Sequence, residues 1–516
     1  MSAEPADDAM SSSVVSELRS AARGGALTAV ASSVSAAMGF VLILVLSRQL
    51  GAVGSGVVLQ AIAAFTIGLS VARLGMDTTA VWLVPRLRLE SPELVRGACV
   101  GLLGWAAMTG LLGASVWWAV GRAALQDRFT DAAAVAAAIS AAMWALPIGA
   151  VLLVALAATR GFGGVLPFNL IGNVAVPAAR PVGVLCATML GGSAIASTVA
   201  WVTPLVPAAL ASVWLLHRQV SNFEATAGTS GRFLPSRALQ RRTLRFALPR
   251  TVSSVLEQSM IWFDVVLVGL IAGSAAAGVY GAAARFVGAG MIVLTALRIV
   301  VAPRFSAYLA ADRYSDLQHL FAVTASWILL FGTPIYVLLA FYSPTVLGWL
   351  GSDFGAGVSS MVLLCLGAVV LLAGGNVQSL LLMSGHSGWA AVNKCIVFTL
   401  SVSSNVILIP RIGLFGAAVT WAASVALDTA LAFFQVHRLI GIKLLIGRTA
   451  IVGLAAATCA AAPSLLLLWL LGNSIISLII ATLLAAILVV GYSALDRHRL
   501  QIAVLLTMLP RARSRH

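Results

Sequence analysis

The chain has 516 residues, 60% of them hydrophobic and 9% charged, with a net charge of +15 and a mean hydropathy of +1.01. Charged residues make up about a quarter of a soluble domain, so an ordinary soluble protein is excluded. Apolar runs of about 20 residues recur along the whole chain and make it an all-α polytopic membrane protein. In such a chain the positive charge reads as topology, and no nucleic-acid partner is expected.

The polar residues 1–24 contain no apolar core with a small-residue cleavage site, so the first span is expected to direct insertion itself. Apolar runs punctuated by Gly, Pro and charge predict fourteen transmembrane helices. They cover 25–47, 54–72, 97–120, 132–157, 169–190, 194–216, 246–271, 278–301, 318–341, 357–383, 388–409, 413–436, 449–471 and 474–494. With both termini cytoplasmic, the inside segments collect most of the arginines, among them Arg19, Arg86, Arg88, Arg96, Arg237, Arg241, Arg304 and Arg438. The outside segments hold only Arg48, Arg122, Arg128 and Arg411. That asymmetry is the positive-inside pattern.

A polar interval follows the sixth span. It predicts a cytoplasmic linker, 218–245, with a short amphipathic helix on the inner leaflet. The interval from Pro85 to Arg96 reads as a second interfacial element. Gly56-Val57 matches Gly278-Val279, Pro85-Arg86 matches Pro303-Arg304, Asn169 matches Asn393, and the turn at Gly191 matches that at Gly413. The nearly constant offset aligns six spans with the next six, as two lobes related by a pseudo-two-fold axis along the membrane normal. The expected division is a tail 1–24, an N-lobe 25–217, the linker, a C-lobe 246–437, two appended helices within 438–495 and a basic cytoplasmic tail 496–516. The five cysteines stand singly in apolar spans and read as buried small hydrophobes, with no metal site and no disulfide expected.

Charges inside the spans are the candidates for function, because each costs roughly 2.5–3.5 kcal/mol at the bilayer centre unless it meets water or a partner. Arg180, between Pro177 and Pro181, is read as a cavity cation with Asn173 seven residues before it on the same face, or else as one partner of a pair on a neighbouring helix. Arg285 and Asp264 lie at similar depth. They read as a structural ion pair, or as a substrate cation with a titrating neighbour. Arg298 and Lys394 lie nearer the inner ends of their spans, and Arg250 at a membrane entrance; each is a candidate cation. Glu257 and Asp428 are buried acids suited to taking up and releasing a proton, or to locking helices together. Arg73 and Asp77 read as an i, i+4 ion pair, and tryptophans such as Trp82, Trp117 and Trp349 as interfacial belts. Arginine suits a diphosphate, since its planar fork binds phosphate oxygens two at a time and stays charged.

The segments Ala277 to Phe286 (Ala-Gly-Val-Tyr-Gly-Ala-Ala-Ala-Arg-Phe), Leu244 to Pro249 and Ile409 to Ala418 resemble the Wzx-type polysaccharide flippases of the multidrug/oligosaccharidyl-lipid/polysaccharide (MOP) exporter superfamily. The resemblance implies a V-shaped pair of six-helix lobes around a central cavity in the bacterial cytoplasmic membrane. It implies alternating access for a polyprenyl-diphosphate-linked oligosaccharide, with membrane lipids around the chain and a polysaccharide polymerase and glycosyltransferases as partners. Neither an enzyme nor a cofactor is expected, because no phosphate-binding loop, nucleophile elbow or zinc motif is present. Thr28 to Leu46 carries no charge, unlike the arginine-rich first helix associated with lipid II flippases. The other readings are a lipid II flippase, a cation or drug antiporter of the same superfamily, a membrane glycan polymerase or a scaffold.

Overall fold

The computed structural model describes residues 5–125, 131–441 and 446–500. The tail residues Arg511, Arg513 and Arg515, together with Arg128 and Lys443, lie outside them. Among the described residues every regular element is helical. The N-terminal half contains α1 (Pro5–Ala72), α2 (Met76–Glu90), α3 (Val95–Val116), α4 (Arg122–Leu125), α5 (Ala132–Met143), α6 (Leu146–Gly161), α7 (Val176–Met189), α8 (Ala194–Val202) and α9 (Leu205–Ala227). The rest comprises α10 (Arg237–Ala272), α11 (Ser274–Ala289), α12 (Ile292–Ala310), α13 (Tyr314–Phe341), α14 (Ser343–Gly348), α15 (Val358–Ala373), α16 (Val377–Met383), α17 (Ser387–Ile440), α18 (Ile446–Leu471), α19 (Ile475–Leu495) and α20 (Arg497–Leu500).

Among the described residues, ten helical segments are long and apolar enough to cross a membrane, or eleven if α5 and α6, bent by 46°, form one span. Small residues and prolines interrupt the apolar runs, so the expected spans are not each a separate uninterrupted helix. α1 is broken at Gly51 (φ 66°) and α17 at Ile412–Gly413 (Gly413 φ 58°), so each long helix holds two of the expected spans. Gly374 to Asn376 separates α15 from α16. The short amphipathic helix expected within 218–245 is not a separate element: α10 runs from Arg237 to Ala272. Ser236 caps its start by accepting from the Leu239 amide at 3.2 Å, and no glycine interrupts it before Gly269.

In the N-terminal half α1, α3, α5, α6, α7, α8 and α9 pack together; in the C-terminal half α10, α13, α15 and α17 do, with α18 and α19 laid against α13. All five cysteines are free. Cys99 and Cys365 are buried as expected, whereas Cys186 and Cys395 are exposed, on helix faces turned away from the packed core.

The two halves meet where α1 crosses α11. A Cβ added at Gly56 would lie 1.7 Å from the Ser274 carbonyl oxygen, and one added at Gly278 would lie 2.2 Å from that of Ala52. Each glycine therefore sits on the backbone four residues before the other, so the contact is reciprocal and repeats the Gly56/Gly278 match in the sequence. Gln60 extends the seam by donating to the Ser274 hydroxyl at 3.2 Å, and the Asp131 carboxylate accepts from the Ser274 amide at 3.4 Å. Arg48 donates to the Trp349 carbonyl across the same end. At the opposite end of the seam Gly75 (φ 63°) lies against Ala247, and the Trp82 ring stacks on Phe246 at 4.3 Å and 6°. Trp82 thus stands between the halves, flanked by the guanidinium groups of Arg86 and Arg242.

Gly56→Ala is expected to destabilise the protein by about 1–3 kcal/mol, the range for overpacking. Gly39→Ala, where an added Cβ meets nothing within 4 Å, is expected to leave the melting temperature in detergent unchanged or slightly raised. Equal effects of the two substitutions would contradict the close crossing.

Candidate functional site

Two groups of charged side chains lie on opposite faces of α10. On the Trp262 face, a cavity of about 260 Å³ is lined by Arg180 from α7, Trp201 from α8, Trp262 from α10 and Arg285 from α11, with apolar residues of α1 such as Met38 and Leu42. It adjoins a second cavity of about 390 Å³ that shares Ser35, Gly39 and Arg285 and adds Ser32 and Asn173. No acidic residue lines either one.

The two arginines are held in the same way. The Arg180 guanidinium lies 3.9 Å from the centre of the Trp201 ring, and that of Arg285 lies 3.9 Å from the centre of the Trp262 ring. The negative face of an indole attracts a cation by about 2 kcal/mol when water is excluded, so the rings stabilise charges that otherwise belong in water. Stacking uses the guanidinium face and leaves its in-plane N–H donors open. Among the described residues neither arginine has a carboxylate within ion-pair distance, and the buried Nε of Arg180 has no hydrogen-bond partner. The alternative of an Asp264–Arg285 pair is not realised: Asp264 is buried on the other face of α10 and accepts from Asn405 of α17 at 2.9 Å.

Asn173 reaches the site by a different register from the one expected. Phe168–Ala175 is wound as a π-helix, which widens the turn and rotates Asn173 relative to a regular α-helix. Its amide donates to Asn169 at 2.9 Å, and Asn169 in turn donates to Thr28 at 2.9 Å.

The second group lies on the Asp264 side. A cavity of about 240 Å³ is lined by Asp264, Arg298, Gln378, Lys394 and Asp428, with Phe263, Phe398 and Trp421. An adjoining one of about 210 Å³ shares Gln378, Lys394 and Asp428 and adds Arg250 and Glu257. Asp428 accepts from both Lys394 and Gln378, so Lys394 is a paired cation. Glu257 is exposed to its cavity, not buried. Asn393, the counterpart of Asn169, exchanges two 2.7 Å hydrogen bonds with Gln435. Arg73 donates to Asp77 at 2.9 Å, one turn apart.

Trp201, Trp262, Gln378 and Asn405 were not singled out from the sequence. The signal for Trp201 is its position well inside the sixth predicted span, where an interfacial tryptophan has no reason to be; Trp262 stands two residues from Asp264, at mid-span. Gln378 and Asn405 are amides in otherwise apolar runs, the residue type that satisfies a buried carboxylate.

Among the described residues, a helical bundle with ten or eleven segments apolar enough to cross a membrane, and a cavity between its halves lined by Arg180 and Arg285, defines a polytopic membrane protein. The chain belongs to the polysaccharide biosynthesis protein family, whose model matches residues 21–309. It is 25% identical over 214 residues to the probable low-salt glycan biosynthesis flippase Agl15 of Haloferax volcanii, a match covering 40% of this chain and 44% of that protein, less than half its length. Its fold is that of the lipid II flippase MurJ in the inward closed conformation, with a TM-score of 0.72 at 12% identity over 92% of this chain and 99% of the other. An inward-facing multidrug resistance MATE transporter of the MOP superfamily superposes with a TM-score of 0.66 at 14% identity, over 81% and 98%.

Removing one member of the Lys394–Asp428 pair leaves the other charge facing a half-closed cavity. Lys394→Met is expected to lower the melting temperature, and Lys394→Met with Asp428→Leu to recover much of the loss, with a coupling of about 0.5–3 kcal/mol in a double-mutant cycle. Additive losses would show that the two side chains do not interact.

Proposed function

We propose that the chain is a flippase that moves a polyprenyl-diphosphate-linked oligosaccharide from the inner to the outer leaflet of the bacterial cytoplasmic membrane by alternating access. The observation that carries this reading is the pair of arginines, Arg180 and Arg285, each against a tryptophan ring and, among the described residues, with no carboxylate within ion-pair distance. A diphosphate is a compact dianion whose oxygens accept paired N–H bonds, each charge-assisted and roughly twice as strong as a neutral one. The isoprenoid tail stays in lipid while the polar head crosses. Family membership and the flippase name of the Haloferax relative support the same reading.

In this scheme residues 25–217 and 246–437 are two lobes that rock about the α1–α11 crossing, joined by 218–245. The pair within 438–495 is appended, and the tails 1–24 and 496–516 are cytoplasmic. Glycosyltransferases supply the substrate and a polymerase takes the product. Glu257, Asp264 and Asp428 are assigned to ion coupling, because they line the cavities on the far face of α10, where uptake of a cation changes the charge facing Lys394 and Arg298. Arg250 lies at the mouth of that side, against Gly75 of the other lobe. A drug-cation antiporter fits less well, since the two cavities on the Trp262 face are lined by Arg180 and Arg285 and by no acid that would attract an organic cation.

The test is translocation of a labelled lipid-linked oligosaccharide in proteoliposomes. Arg180→Ala and Arg285→Ala are each expected to slow it about 10- to 100-fold, the effect of losing charge-assisted hydrogen bonds of about 1.5–3 kcal/mol. Gly39→Leu, which grows into open cavity space, is expected to block transport without loss of fold. Wild-type rates in both arginine variants would refute the assignment.

A further inference from the structure

We infer that the 390 Å³ cavity beside Arg285 is a subsite for the first sugar of the carried lipid, the ring bonded directly to the diphosphate, and that it selects an uncharged sugar; this rests on the flippase reading. Its lining includes Ser32, Ser35 and Gly39 of α1, Asn173 of the π-helical turn, and Arg285 and Gly288 of α11. A volume of this size lies within the range of about 300–1,000 Å³ typical of small-ligand pockets.

Three observations point to a hydroxyl-bearing ligand. The first is the pair of serine hydroxyls. Serine inside an apolar helix commonly folds back onto the carbonyl four residues earlier, and Ser33 does so, donating to Ala29 at 3.0 Å. Ser32 and Ser35, on either side of it, face the cavity and among the described residues make no hydrogen bond. The second is Asn173, which lines the cavity, spends one N–H on Asn169 and, among the described residues, makes no other side-chain hydrogen bond. It is brought there by a π-helical turn, a departure that recurs at functional sites. The third is the empty space at Gly39 and Gly288, where an added Cβ meets nothing within 4 Å.

The set contains neutral donors and acceptors, which match sugar hydroxyls and an acetamido group. Arg285 is the single charge, and it also borders the adjoining arginine cavity, where it is committed to the diphosphate. An acidic sugar would bring a second anion with no further cation to meet it, and an amino sugar would find no carboxylate. Ser35 and Gly39 belong to both cavities, so the sugar would lie one glycosidic bond from the phosphates. From Asn173 the polar path continues through Asn169 to Thr28, toward the end of α1 where further sugars would emerge.

The test is binding to the purified full chain in nanodiscs of three probes: undecaprenyl diphosphate, the same lipid carrying one N-acetylhexosamine, and the same lipid carrying one hexuronic acid. The N-acetylhexosamine probe is expected to bind about tenfold more tightly than the bare diphosphate, as one or two net hydrogen bonds would give, and the uronic acid probe with no gain. Asn173→Leu with Ser35→Ala should bring the ratio of the first two affinities close to one. Arg285→Ala should lower both affinities together and keep their ratio. Ser35→Ala alone, on a half-buried helix face, guards against a failure to fold and should reduce the ratio in part. Equal binding of the sugar-bearing and bare lipids to wild type, a ratio unchanged in the double variant, or an equal gain with the uronic acid would overturn the subsite. Bare-diphosphate binding that is untouched by Arg180→Ala and Arg285→Ala would instead overturn the flippase reading.

Discussion

The reciprocal contact of Gly56 with Ser274 and of Gly278 with Ala52 is the constraint on which the rest of the structure depends. Two helices in lipid gain little from burying apolar side chains against each other, since lipid is equally apolar, so close association needs small residues that let backbones touch. A single β-carbon at either glycine would collide with a carbonyl oxygen. By bringing α1 against α11 at this point, the crossing fixes where Arg285, two turns further along α11, stands relative to Arg180 and the serines of α1.

From that crossing α10 acts as a partition. One face presents Trp262 to the arginine cavity and the other presents Asp264 and Ser259 to the cavity of Lys394 and Asp428. The separation keeps carboxylates away from Arg180 and Arg285. Were Asp264 turned toward Arg285, the two would neutralise each other; instead Asn405 donates to Asp264, and the arginines lie against tryptophan rings. An aromatic ring is in this respect a better neighbour for a binding arginine than an acid, since it lowers the cost of the charge without competing for the same hydrogen bonds.

Much of this was legible in the residues. The apolar runs define the helices, and the Gly56/Gly278 match marks the position where the halves touch. Arg180, Arg285, Lys394 and Asp428 stand out because they are charged inside apolar spans. What could not be read is azimuth. Asp264 and Arg285 lie at comparable depth, yet depth says nothing about which way a side chain points, and a two-residue step on a helix carries Trp262 and Asp264 to different faces. Asn173 was placed by assuming 3.6 residues per turn, and the π-helical turn changes that register. Gln378 and Asn405 meet acids far away in the chain, and a lone amide in an apolar run does not announce its partner. Gly51 and Gly413 both have non-helical backbone, so α1 and α17 each break in two where the sequence places a boundary between spans.

The two ends of the seam are made of different stuff. At the glycine end, separating the halves would strip Ser274 of its bonds to Gln60 and Asp131 and the Trp349 carbonyl of its bond to Arg48. At the other end the face of Trp82 lies nearly parallel to Phe246, inclined by 6°, between the guanidinium groups of Arg86 and Arg242, and Arg242 lies 3.8 Å from the Glu90 carboxylate of α2. One end of the seam is thus riveted by hydrogen bonds, and the other is a sandwich of aromatic faces edged with charge.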